Sequence, residues 1–165
     1  MDVLLVDDHP ILHETLGAVV RSIAPQAQFH TEVDLGGAVT KARQLKDLEL
    51  VLLDLGLPGC TGIEALVRFL AVLPRARVIV ISATEDTASV RAALDAGAVG
   101  YLPKTSPPKV MADALRLVHH YSRGIPRIIN NLCDKSLLSA FIRESDEVNY
   151  WDARRASRDL DRLTD

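Results

Sequence analysis

The chain has only 2 cysteines in 165 residues, Cys60 and Cys133. They lie far apart with no Cys-x-x-Cys or Cys/His spacing, which argues against a disulfide framework or a zinc site. No apolar run approaches the roughly 20 residues that a membrane helix needs. Met1-Asp2 leads directly into Val3-Leu4-Leu5-Val6 with no positive region or cleavage site, so a cytoplasmic location is expected. Basic excess is missing too: the formal charge is −3, and a broad nucleic-acid-binding face needs clustered Lys and Arg. There is no internal repeat, no low-complexity segment and no Gly-x-x-x-x-Gly-Lys-Ser/Thr phosphate loop anywhere. What remains is 48% hydrophobic and 25% charged, too apolar for a disordered chain. A chain of this size buries about 70% of its unfolded surface and needs no staple to hold a core.

Continuous apolar runs at Val3–Val6, Leu50–Leu53 and Val78–Ile81 predict strands, with weaker candidates at Gln28–Val33 and Val99–Leu102. Continuous rather than alternating apolarity marks strands covered on both faces, which means a parallel sheet. Stretches of helical spacing lie between and after them. One stripe is Leu12, Leu16, Val19, Val20 and Ile23, and a second is Ile63, Leu66, Val67 and Leu70. A third is Ala88, Val90, Ala93 and Leu94, and a fourth is Val110, Ala114, Leu115 and Val118. Alternating strand and helix predicts an open, doubly wound α/β sheet, whose ligands bind at the carboxyl ends of the strands.

The residues at those ends form a consistent set. Asp7 and Asp8 follow the first run, Asp54 the third, Ser82 the fourth, and Lys104 the fifth after Tyr101-Leu102-Pro103. A parallel sheet carries all five to one edge. Three gathered carboxylates repel one another unless a hard cation compensates them. Oxygen ligands of this kind suit Mg²⁺ or Mn²⁺, which leave positions open for phosphate oxygens. A carboxylate beside such a cation can attack a phosphoryl group, while Lys104 and the Ser82 hydroxyl hold the transferred oxygens. Each residue taken alone also has a plain role. Asp-Asp after a strand suits a solvated turn, Asp54 and Ser82 suit helix caps, Tyr101 suits simple packing, and Lys104 suits the surface. His9 and His13 read as structural or partner-facing, because the carboxylates already account for a cation.

From Asp2 to about Leu117 the sequence resembles the receiver domain of bacterial two-component response regulators. The resemblance rests on Leu5-Val6-Asp7-Asp8-His9-Pro10, Leu53-Asp54-Leu55-Gly56-Leu57-Pro58-Gly59, Ile81-Ser82-Ala83 and Gly97-Ala98-Val99-Gly100-Tyr101-Leu102-Pro103-Lys104, in that order and spacing. It implies a flavodoxin-like, five-stranded parallel sheet of order 2-1-3-4-5, spanning residues 1–118. It also implies roles. Asp54 would be the phosphoacceptor, charged by a sensor histidine kinase. Asp7, Asp8, Asp54 and the Gly56 backbone carbonyl would hold Mg²⁺. Lys104 and Ser82 would engage the phosphoryl group, and Tyr101 would be the aromatic switch that follows Ser82. Such a chain is a signalling switch that catalyses only its own phosphorylation and dephosphorylation. The proline before Lys104, rather than after it, resembles the LuxR/NarL-type subfamily. A haloacid-dehalogenase-like phosphatase needs an Asp two residues beyond its nucleophile, where this chain has Gly56. A phosphate-independent adaptor would not need all five site residues.

Beyond residue 118 no strand candidate remains, and residues 118–165 carry eight basic and eight acidic residues. Ser122-Arg123-Gly124-Ile125-Pro126 reads as a break, followed by a helix from about Arg127 and a second over Trp151–Leu163. The segment His119 to Lys135 resembles the helical lid of AAA+ ATPases of the GspA/ExeA type, in which Arg127 would be the sensor arginine. Without a phosphate loop no ATP hydrolysis is expected. Residues 119–165 are therefore read as a helical extension that packs on the receiver, pairs with a second copy, or docks on a separate AAA+ ATPase. The four-helix DNA-binding module of LuxR-type regulators is not evident in them.

Overall fold

The computed structural model describes residues 1–60 and 62–122. Both expected tail helices, Arg127 and Cys133 lie outside them. The chain divides into two compact units, residues 1–108 and 109–165. Ten elements alternate along the described chain. These are β1 (Asp2–Val6), α1 (Pro10–Ile23), β2 (Gln28–Glu32), α2 (Leu35–Gln44), β3 (Leu48–Asp54), α3 (Glu64–Val72), β4 (Val78–Ser82), α4 (Thr87–Asp95), β5 (Gly100–Pro103) and α5 (Pro108–Ser122). The sheet has the order β2-β1-β3-β4-β5, and every pair is parallel. Leu53 lies beside Val6 and Val80, so the ends of the three central strands are nearly level.

The central strands show why continuous apolarity was readable. Val3 to Val6, Val51 to Leu53 and Val78 to Ile81 are all essentially inaccessible to water. Alternate residues then serve opposite faces. Leu4, Val6, Val51, Leu53, Val78 and Val80 belong to one cluster with Ala38 and Ala42 of α2, Leu66 and Phe69 of α3 and Ala93 of α4. On the other face Phe29 sits beside Val3, and a Cβ at Gly17 of α1 would come within 3.2 Å of the Phe29 ring. Helix α1 therefore packs there, burying Leu16, Val19 and Val20.

Helix boundaries follow local chemistry. Pro10 opens α1, where a missing N–H costs nothing. Gly97 adopts φ 103° after α4, and its N–H bonds to the Leu94 carbonyl at 3.0 Å, turning the chain into β5. Helix α2 has only a weak apolar stripe, since Leu35 and Val39 share the core contact with the small Ala38 and Ala42 and a Gly36-Gly37 pair follows Leu35. Its start is held by Asp34, whose carboxylate accepts the Gly37 N–H at 2.8 Å. Replacing Asp34 with Ala should cost about 1 kcal/mol in urea unfolding, the usual loss for such a cap. An unchanged midpoint would show that α2 is held by packing alone.

The edge strands depart slightly from expectation. β2 stops at Glu32, leaving Val33 about half exposed outside it, and β5 begins at Gly100 rather than Val99.

Candidate functional site

Strand direction gathers the predicted residues. Asp7 and Asp8 follow β1, Asp54 and Ser82 are the last residues of β3 and β4, and Lys104 follows β5. Within this edge Asp7 is fully buried, Asp54 is 2% exposed and Ser82 5% exposed, an unusual state for polar side chains. The Lys104 ammonium explains how the two buried carboxylates are tolerated. Its Nζ lies 2.8 Å from Asp54 Oδ2 and 2.8 Å from Asp7 Oδ2. Burial opposes the lysine's charge, yet hydrogen bonding and attraction from Asp54 and Asp7 outweigh it and hold its pKa above the ordinary value.

One ammonium does not neutralise the rim. Asp7, Asp8 and Asp54 place donor atoms, together with His9 Nδ1, within 4.8 Å of one another. Asp7 Oδ2 is buried and has the Lys104 ammonium, 2.8 Å away, as its partner. Asp54 Oδ1 accepts the Gly56 N–H at 2.9 Å. A Cβ at Gly56 would approach Asp54 Oδ2 to 3.2 Å, so a larger residue would crowd that carboxylate. Three carboxylates that share one ammonium form a set of hard oxygen donors, which fits a small divalent cation.

Asp54 opens into a cleft of about 390 Å³ that Ser82, Thr84, Tyr101 and Lys104 also line. Neither Asp54 nor Ser82 caps a helix: the α4 cap is Asp86, which accepts the Ser89 N–H, and α3 begins after Ile63. Instead Ser82 Oγ accepts the Thr84 N–H at 3.1 Å. Tyr101 donates its hydroxyl to the Thr84 carbonyl at 2.6 Å, and Thr105 donates to Glu85, so β5 and the turn after it tether the β4–α4 loop at two points. Burial, opposed by the Ser82 side chain and reinforced by Asp86, Glu85 and Asp54, holds the Tyr101 phenol above its ordinary pKa.

His9, which the sequence reads as structural or partner-facing, stands beside the carboxylates. Its Nδ1 lies 2.8 Å from Asp8 Oδ1, 3.0 Å from Asp7 Oδ1 and 3.4 Å from Lys104 Nζ. Nothing in its spacing could have separated it from an ordinary residue at a helix start. His13 takes a supporting position, with Nε2 2.6 Å from the Asp7 carbonyl.

A five-stranded parallel sheet with an acidic edge answered by a lysine defines the receiver class of α/β proteins. Residues 3–116 match the response regulator receiver domain family, and the chain belongs to that family. It is 34% identical over 116 residues to the glycerol metabolism activator of Pseudomonas putida, an overlap covering 70% of this chain and 52% of that protein. It is 33% identical over 122 residues to the nitrate/nitrite response regulator NarL of Escherichia coli strain K12, covering 74% and 55%. The chain thus spans about half the length of these relatives. Among solved structures, a LuxR-family two-component response regulator from Aurantimonas sp. SI85-9A1 superposes with a TM-score of 0.58 at 31% identity, covering 71% of this chain and 83% of that one. The isolated receiver domain of RcsB from Salmonella enterica superposes with a TM-score of 0.64 at 24% identity over 72% and 88%, a likeness of fold. The chain is therefore a receiver-domain homologue of NarL- and NarP-type two-component regulators, a signalling switch. Proteins of this family receive phosphate from a histidine kinase and typically use Mg²⁺ at their acidic pocket. Among the described residues no helix is long and apolar enough to cross a membrane.

Proposed function

We propose that Asp54 is the phosphoacceptor and that Asp7, Asp8, Asp54 and the Gly56 carbonyl hold the divalent ion. The observation that carries this reading is the placement of Lys104 Nζ at 2.8 Å from both Asp54 and Asp7, beside the cleft into which Asp54 opens. A bound Mg²⁺ would neutralise the carboxylates and the phosphoryl oxygens. One Asp54 oxygen attacks phosphorus, forming a P–O bond. The P–N bond of the kinase phosphohistidine breaks, and the imidazole leaves with its electron pair. Lys104 then exchanges part of its carboxylate contact for phosphoryl oxygens.

Ser82 is placed to follow. Its hydroxyl can turn from the Thr84 N–H toward the new charge of about −2, and Tyr101 holds the carbonyl of that same Thr84. Phosphorylation would therefore bias the β4–α4 loop and Tyr101 between two arrangements, which a partner reads. In this reading the receiver runs to about residue 118. The sequence of residues 119–165, similar to an AAA+ lid without a phosphate loop, would serve to pack on the receiver, pair with a second copy or dock on an ATPase. The protein acts in the cytoplasm.

The test is Mg²⁺ dependence. Acetyl phosphate should label the chain with Mg²⁺ and not with EDTA. Mg²⁺ at about 100 times its Kd should add about 2.7 kcal/mol of stability, as binding to the native state alone requires. Labelling that proceeds equally in EDTA would contradict the assignment.

A further inference from the structure

Three exposed residues, Ala83, Thr84 and Glu85, join Ser82 at the end of β4 to Asp86, the cap of α4. The turn after β5 faces them on a fixed mount. There the Lys104 N–H donates to the Ser82 carbonyl at 2.7 Å, and the Ser106 N–H closes onto the Pro103 carbonyl at 3.1 Å. Thr105 stands inside that turn, and its hydroxyl donates to Glu85 Oε1. Sheet order gives this contact a direction. Strand β4 lies between β3, which ends in Asp54, and β5, which leads into Thr105. Holding Glu85 on Thr105 therefore holds the loop toward β5, the side of β4 opposite Asp54. Both residues are exposed and neither belongs to the acidic edge, so core packing does not account for the contact.

We propose that the Thr105–Glu85 contact is a latch that holds the β4–α4 loop on the β5 side and opposes the approach of Ser82 to a phosphoryl group on Asp54. This rests on the phosphoacceptor reading above, which supplies that group. Ser82 Oγ accepts the Thr84 N–H at 3.1 Å, and Thr84 directly precedes Glu85. Turning Ser82 toward Asp54 gives up that bond and releases Thr84, and Glu85 moves with it. A contact made in one of two arrangements and lost in the other biases the equilibrium toward the first by its own free energy. A single exposed hydrogen bond contributes modestly. The latch therefore sets how readily the loop switches, not whether it can. Thr105 touches no reacting atom and acts through Ser82, which makes it a positioning residue.

The experiment titrates beryllofluoride, a phosphoryl mimic, into the full chain in saturating Mg²⁺ and follows thermal stability alongside. Thr105→Val keeps the shape and removes the donor. It should melt slightly earlier than wild type yet bind beryllofluoride about two- to tenfold more tightly, the range of one exposed hydrogen bond. Its affinity for Mg²⁺ alone should not change. Thr105→Ser restores the hydroxyl and should return to the wild-type affinity. Removing the Glu85 charge favours an incoming anion by itself, so Glu85→Gln, whose amide oxygen can still accept the Thr105 hydroxyl, measures that part. Glu85→Ala should exceed it, and the excess should vanish when Thr105→Val is also present. A contact that is merely structural lowers stability and leaves beryllofluoride affinity unchanged or weaker. That result overturns the latch and leaves the phosphoacceptor reading standing, whereas a wild type that binds no beryllofluoride overturns both. The two Glu85 variants decide the matter if Thr105→Val does not fold.

Discussion

Asp54→Asn is expected to reduce labelling by acetyl phosphate to background while the chain keeps its fold and its thermal transition. The amide lacks the anionic oxygen that attacks phosphorus, so the loss should be complete. Structure should survive because Lys104 keeps a second partner, Asp7, at 2.8 Å. Asp54 is also one of three carboxylates at the site, so its removal relieves repulsion as well as deleting an ion pair. Phosphate incorporation and circular dichroism on the same sample check both halves. Labelling at the wild-type rate would move the acceptor to another residue. A collapsed transition would give Asp54 a structural role that its contacts do not suggest.

Lys104→Ala should have the largest effect on stability. It leaves Asp7, fully buried, and Asp54, 2% exposed, facing each other without a countercharge. Breaking a buried pair typically costs about 3–5 kcal/mol, and the 15% exposure of the Lys104 side chain places this case toward the lower end. Urea unfolding in EDTA measures it, and Mg²⁺ should recover more stability in the variant than in the wild type. The alkaline side provides a second readout. Because the folded pKa of Lys104 is raised, its stabilisation is full below the ordinary value of 10.5 and disappears as pH climbs through the folded value. Tyr101, also raised, weakens both proteins in alkali in the same direction, so the extra loss in wild type isolates Lys104. Equal stability of the two proteins in EDTA at neutral pH would show that the acidic edge needs no compensation.

The parts legible in the sequence were those with one physical cause. Strands β1, β3 and β4 are buried on both faces, so their apolar runs are continuous. In a parallel sheet the residue after each run has only one edge to occupy. That is why Asp7, Asp54 and Lys104 could be placed together before any distance was known. Strand β2 at the edge, Gln28–Glu32, is partly wet, and its pattern blurs at Val33. Helix α2 packs through Leu35, Ala38, Val39 and Ala42 at helical spacing, but two of the four are alanines and a Gly36-Gly37 pair interrupts its first turn, so its stripe is weak. The surroundings of His9 are not legible from its position, because Lys104, which comes within 3.4 Å of its ring, is 95 residues away. The same holds for the Tyr101 and Thr105 tethers on the β4–α4 loop, which pair residues 17 and 20 apart.

The most direct measurement traps the modified residue itself. After incubation with acetyl phosphate and Mg²⁺, borohydride reduces an aspartyl phosphate to homoserine, which peptide mass mapping locates. Homoserine at position 54, with Asp7 and Asp8 unmodified, is the predicted result. Homoserine at either of those two positions, or at none, would contradict the account of this acidic edge as a phosphoacceptor site.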